Sequence, residues 1–141
     1  MNWTTESDED TVALGREIAA ALPRKAVVLL IGNLGAGKTT LAKGIISGLG
    51  AAEPNDVTSP TFTLIQEYGE GRVYHIDLYR LDTLAQISTL GLDELFDKHA
   101  VVLIEWGERF PDLMPTDRVE IRLTTKSDET REIVASGADF S

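Results

Sequence analysis

The sequence predicts an α/β domain built on one mixed parallel/antiparallel sheet. Three observations lead there. "AVVLLI" at 26–31 and "AVVLIE" at 100–105 are apolar runs without polar alternation, as expected of strands covered on both faces. Between them, "TFTLIQEY" and "RVYHIDLY" are β-rich runs separated by "GEG" at 69–71, a hairpin pattern. Near the end, Val119, Ile121 and Leu123 alternate with charged residues before a polar turn and "TREIVAS". That pattern predicts a half-exposed terminal hairpin.

In chain order, Ser7 and Asp10 fit a capping box, with Val12, Leu14, Ile18 and Leu22 following at helical spacing and Pro23 closing the helix. The first buried strand comes next, and a second helix is expected from Lys38 to Gly50. After the central hairpin, Leu84, Ile87, Leu90, Leu95 and Phe96 mark a helical connection interrupted at Gly91. No repeat, low-complexity tract or Pro/Ser-rich linker divides the chain, so one domain over 1–141 is expected.

Composition narrows the function. The apolar fraction of 43% and charged fraction of 26% suit a folded domain. No apolar run approaches the ~20 residues of a membrane-spanning helix. "MNWTTESDEDT" lacks the basic-then-apolar layout of a secretion signal, and the absence of cysteine removes disulfides and thiolate metal sites. A cytoplasmic protein is expected. The net charge of −10, with acidic clusters at Glu6 to Asp10 and Asp93 to Asp97, argues against unaided nucleic-acid binding, which needs clustered cations. The acidity serves either solubility alone or docking on a basic partner.

The chemistry concentrates at "GNLGAGKT". Gly32-Asn33-Leu34-Gly35-Ala36-Gly37-Lys38-Thr39 satisfies the P-loop pattern G-x-x-x-x-G-K-[ST] in full. Triphosphate oxygens need several donors converging on them, and a loop with few Cβ atoms lets backbone N–H groups turn inward together. The following helix adds unpaired N–H groups and the positive end of its dipole. Lys38 can span the β- and γ-phosphates, and the Thr39 hydroxyl can complete a Mg²⁺ shell. The fold class sharpens to a P-loop NTPase-like three-layer domain, with ATP and Mg²⁺ as the expected cofactors.

A metal-bearing carboxylate should end a neighbouring core strand. Glu105 follows five apolar residues and is favoured for Mg²⁺, directly or through water, while Asp77 in "VYHIDLYR" suits a switch or water-positioning role, unless it only pairs with Arg80. His75 is expected to be a satisfied sheet residue, with no metal assigned to it. Trp106 is read as core or rim packing, with gating as the alternative. Thr58, Ser59 and Thr61, around Pro60, would suit a mobile segment that senses phosphate or metal.

"GNLGAGKTTLAKG", "SPTFTLIQEY", "YHIDLYRL" and "LIEWGERF", in this order, extend over most of residues 7–110. The chain resembles the bacterial TsaE (YjeE) family, the small ATPase of tRNA threonylcarbamoyladenosine biosynthesis. "SPTFTL" with "HIDLYRL" and "IEWGER" is far more specific than the P-loop. The resemblance implies action with TsaB and TsaD on tRNA, which this chain would reach only through the complex, with ATP hydrolysis driving turnover of the assembly. It implies nucleotide contacts along Asn33, Leu34, Gly35, Ala36, Gly37, Lys38, Thr39 and Thr40, metal contacts at Thr39 and Glu105, and a catalytic or switch role for Asp77. It also implies that Asp8 and Thr11 lie near the nucleotide and that Arg131 lies near the base or phosphates. Asn33 departs from the acid usual at that position.

Two rivals are distinguishable. A small-molecule kinase would usually carry a basic lid, whereas a hairpin follows the P-loop helix here. A nucleotide-binding regulator would not hydrolyse, which a turnover assay decides.

Overall fold

The computed structural model describes residues 1–137. Its seven strands form one sheet in the order β1-β7-β6-β2-β5-β4-β3. In sequence they are β1 (Asn2–Thr5), β2 (Ala26–Ile31), β3 (Ile65–Tyr68), β4 (Val73–Asp77), β5 (Val101–Glu105), β6 (Val119–Thr125) and β7 (Arg131–Gly137). The four central strands β6, β2, β5 and β4 run parallel; β3 and β7 flank them antiparallel, and β1 pairs antiparallel with β7 and so runs with the central four.

Two apolar layers explain the unbroken hydrophobic runs. Val28 and Leu30 of β2 point into a core shared with α1 (Asp8–Ala21) and α2 (Lys38–Gly48), as do Val101 and Leu103 of β5. Val27, Leu29 and Ile31, with Val102 and Ile104, point into the opposite core. There they meet Ile87 of α3 (Leu84–Ser88) and Leu92 and Leu95 of α4 (Leu92–Asp97). Gly91 separates α3 and α4 in the left-handed conformation, φ 71°, as the interrupted pattern anticipates.

Ser7 caps α1 by accepting from the Asp10 amide at 3.0 Å. The reciprocal half of the box is displaced by one residue, because the Asp10 carboxylate accepts from the Glu6 amide at 3.1 Å. The terminal hairpin is less peripheral than its alternation suggests: β6 pairs in parallel with β2, and β1 covers the outer side of β7. Only "IQEY" of "TFTLIQEY" is strand, since Leu64 at φ 69° breaks the extended backbone before it. Among the described residues, no helix is long and apolar enough to cross a membrane.

Helices α1 and α2 cross at glycines. A Cβ on Gly44 would lie 2.2 Å from the Val12 carbonyl oxygen, and one on Gly15 would lie 2.6 Å from that of Leu41. Both obstacles are backbone, so neither can swing aside. Gly→Ala inside a helix ordinarily stabilises by up to ~1 kcal/mol. Gly44→Ala is expected to reverse that sign and cost about 1–3 kcal/mol through overpacking. Thermal unfolding checks it, and a melting temperature that rises or stays level would contradict so close a crossing.

Candidate functional site

The carboxyl ends of β2, β4 and β5 open onto one cavity of about 460 Å³, within the range of small-molecule sites. Its wall includes Asp8, Leu34, Gly35, Gly37, Lys38, Thr39, Thr40, Asp77, Glu105 and Arg131. The fold therefore brings together residues spread over most of the sequence. Asn33 and Ala36 are absent from the wall: the Ala36 amide donates to the Asn33 carbonyl at 3.0 Å, closing the loop tip. Thr11 is also outside it. Its buried hydroxyl is held 2.8 Å from that of Thr5 and donates to the Ser7 carbonyl, so it fastens the start of α1 to β1.

The loop leaves β2 at Gly32, where a Cβ would sit 2.7 Å from the Leu123 carbonyl oxygen of β6. It enters α2 through Gly37 at φ 99°, a left-handed value that disfavours any side chain. Gly37 supplies no capping group, so the amides of the first turn of α2 have no side-chain acceptor. An anion at this end would meet unpaired donors and the positive pole of the helix.

Lys38 is 5% exposed. Its ammonium donates to the Gly32 carbonyl at 2.8 Å and lies 3.5 Å from the centroid of the Trp106 ring. Burial lowers its pKa, against the opposing pull of the Glu105, Glu108 and Asp77 carboxylates. Trp106 follows β5 directly, with φ 68°, and its ring tilts against Tyr79 at 5.1 Å. It is thus rim packing of a specific kind, an aromatic cover over the loop lysine. Nearby, burial raises the pKa of Glu108, against its own backbone hydrogen bond and the cations Lys38, Arg122 and Arg109.

Asp77 and Glu105 end adjacent parallel strands in direct register. Both are buried, at 4% exposure each. The Thr39 hydroxyl donates to Glu105 Oε2 at 3.0 Å and lies 3.3 Å from Oε1. The strand ends and the helix start thus place the two predicted metal contacts side by side. Asp77 does not depend on Arg80: Oδ1 accepts from the Tyr79 amide at 2.8 Å and Oδ2 from the Thr61 hydroxyl at 3.1 Å. The Ser59 hydroxyl lies 2.7 Å from that of Thr61, which ties the hydroxyl-rich segment to the end of β4. Arg80 instead stacks over Phe62 at 4.8 Å, and Phe62 is 83% exposed.

Arg131 reaches back to the loop. Its guanidinium donates to the Ser127, Asp128 and Thr130 carbonyls and, at 3.4 Å, to that of Gly35. Left-handed Gly37, open helix amides and one buried ammonium together make a cradle whose donors suit an anion. Among the described residues, no group of three or more His, Cys, Asp or Glu side chains could hold a metal ion. A hard cation here would rest on the Thr39 hydroxyl, the Glu105 carboxylate, water and the ligand's own oxygens, a donor set that suits Mg²⁺.

His75 is a buried sheet residue of β4, as expected, but the sequence did not indicate its partner: Nε2 is 2.6 Å from Glu105 Oε2. The sequence reading also missed the Lys38–Trp106–Tyr79 stack. The adjacency of Trp106 to a strand-end acid was the one available signal.

The family model described as "Threonylcarbamoyl adenosine biosynthesis protein TsaE" matches residues 5–133. The chain is 40% identical over 135 residues to a Bacillus subtilis (strain 168) protein named tRNA threonylcarbamoyladenosine biosynthesis protein TsaE, covering 94% of this chain and 83% of that one. It is 39% identical over 137 residues to a Treponema pallidum (strain Nichols) protein of the same name, covering 96% and 100%. The crystal structure of Bacillus subtilis YdiB superposes with a TM-score of 0.78 at 36% identity, over 97% of this chain and 84% of that one.

Proposed function

Because this chain belongs to the TsaE family of threonylcarbamoyl adenosine biosynthesis proteins, we propose that it is the Mg²⁺-dependent ATPase of the tRNA-modifying machinery. The observation that carries the reading is the Thr39–Glu105 contact at 3.0 Å, set between the buried ammonium of Lys38 and the end of β4. A hydroxyl and a carboxylate held together beside a phosphate cradle are what a nucleotide-bound Mg²⁺ requires.

Each residue has a distinct task. The α2 amides and Lys38 bind phosphate, and the ammonium exchanges its Gly32 and Trp106 contacts for anionic oxygens. Thr39 and Glu105 would hold the cation, which would supply positive charge against that of the phosphates. Asp77 fixes Thr61 and, through it, Ser59, so that the segment can respond to what occupies the cavity. Trp106 and Tyr79 limit water at the lysine.

Turnover by the isolated chain should be slow. Arg131 is the only arginine in the cavity wall, and its guanidinium is already committed to backbone carbonyls. An arginine supplied in trans is worth ~10³–10⁵ in rate in comparable enzymes. The TsaB–TsaD pair is the proposed source, and the exposed acidic stretches at residues 6–10 and 93–97 suit docking on a basic surface. Steady-state ATP turnover, measured alone, with tRNA and with TsaB–TsaD at two salt concentrations, tests this. Marked stimulation by the pair, weakened by salt, is expected, with little effect of tRNA alone. Fast hydrolysis by the isolated chain that the partners do not alter would overturn it.

A further inference from the structure

His75 occupies the middle of β4 and has no exposed surface. Its register neighbour on β5 is Leu103, so apolar packing surrounds the imidazole. A buried polar ring in such a layer is tolerated only when it is hydrogen-bonded, and its partner is Glu105, two residues further along β5.

The two oxygens of Glu105 are not equivalent. Oε2 lies 2.6 Å from His75 Nε2 and accepts from Thr39 Oγ1 at 3.0 Å. Both of its lone-pair directions are therefore occupied. Oε1 has only the longer arm of the Thr39 contact, at 3.3 Å. Among the described residues, His75 Nδ1 is buried without a hydrogen-bond partner. A proton there would be a buried donor lacking an acceptor, whereas a bare ring nitrogen is a cheaper orphan. A proton on Nε2 satisfies the geometry and makes His75 the donor to Glu105.

We propose that His75 is a positioning residue for Glu105: its Nε2–H anchors Oε2 against the sheet and leaves Oε1 as the oxygen that receives the cation. This rests on the ATPase reading above. Carboxylates that hold metals are commonly oriented by such a neighbour, and losing it typically costs ~10–100-fold in metal affinity or activity.

The test uses the full chain with its TsaB–TsaD partners. His75→Leu removes the donor while keeping an apolar occupant, and His75→Gln returns an amide N–H close to the position of Nε2. His75→Leu should lower kcat for ATP about tenfold or more and raise the Mg²⁺ concentration for half-maximal rate, with KM changed less than about twofold. His75→Gln should recover most of the lost kcat. Independently of activity, long-range ¹H–¹⁵N spectra of the wild-type imidazole should show a protonated Nε2 and a bare Nδ1. A bare Nε2 with the proton on Nδ1 overturns the proposal, even if His75→Leu fails to fold. So does a kcat loss that His75→Gln does not repair, which marks a packing role. A full kcat in His75→Leu, while Lys38→Ala loses nucleotide binding, overturns the positioning role and leaves the ATPase reading standing. Unchanged binding in Lys38→Ala removes the ATPase reading, and this proposal with it.

Discussion

Lys38→Ala is expected to lower ATP affinity at least tenfold. No other side-chain cation of the cavity wall comes from the glycine-rich loop or α2, and charge-assisted contacts of this kind are worth ~1.5–3 kcal/mol each. The wild-type ammonium is already desolvated and held by the Gly32 carbonyl and the Trp106 ring, so little reorganisation opposes its transfer to phosphate. The substitution should leave the fold intact, because the Gly32 carbonyl it releases belongs to a half-buried residue and becomes reachable by water once the side chain is gone. Titration calorimetry with ATP is the direct measurement, and an unchanged affinity would remove the phosphate-cradle reading. Trp106 offers a second readout. Its fluorescence should respond to nucleotide in the wild type and respond far less in Lys38→Ala, with Trp3→Phe isolating the signal.

Glu105→Gln should separate binding from turnover. The amide keeps the shape of the side chain and removes the negative charge that a cation needs. Nucleotide should still bind through Lys38 and the α2 amides, while Mg²⁺-dependent hydrolysis falls about 10²–10³-fold, the scale on which a single preorganised electrostatic contact acts in a transition state. Single-turnover hydrolysis at saturating ATP, alongside calorimetric binding, checks both halves. Asp77→Asn should act differently, loosening Thr61 and the Tyr79 turn more than the metal site. If Asp77→Asn gave the collapse and Glu105→Gln had no effect, the roles of the two carboxylates would be exchanged.

Elements whose signal is local were legible from the residues alone. Strands β2 and β5 show the continuous apolar pattern of two-sided burial, and both end where the pattern places them. The glycine-rich loop carries its own chemistry, and α2 runs from Lys38 as expected, ending at Gly48 instead of Gly50 because the Gly50 backbone turns left-handed at φ 72°. Elements created by distant pairing were not legible. Strand β1 is four residues with one buried position, and it is a strand because β7 hydrogen-bonds it. The His75–Glu105 contact follows from the register of β4 on β5, which neither segment encodes by itself. The shielding of Lys38 depends on a left-handed Trp106, a conformation that composition does not announce for an aromatic residue.

The contact from Arg131 to Gly35 spans 96 residues. In the cell a chain is made from one end at roughly 5–20 residues per second, so the loop leaves the ribosome about 5–20 s before the arginine that steadies it. Strand β2 waits a similar time for β6 and only a little less for β5, its two parallel neighbours, and for most of that time presents both edges of a very apolar segment unpaired. Parallel pairing over such a distance is slow to form in any case. The glycine-rich loop is therefore without its Arg131 contact during the early stages of folding, and gains it only when synthesis has reached β7. During that interval the uncovered apolar strand is the part of the chain most open to unwanted pairing.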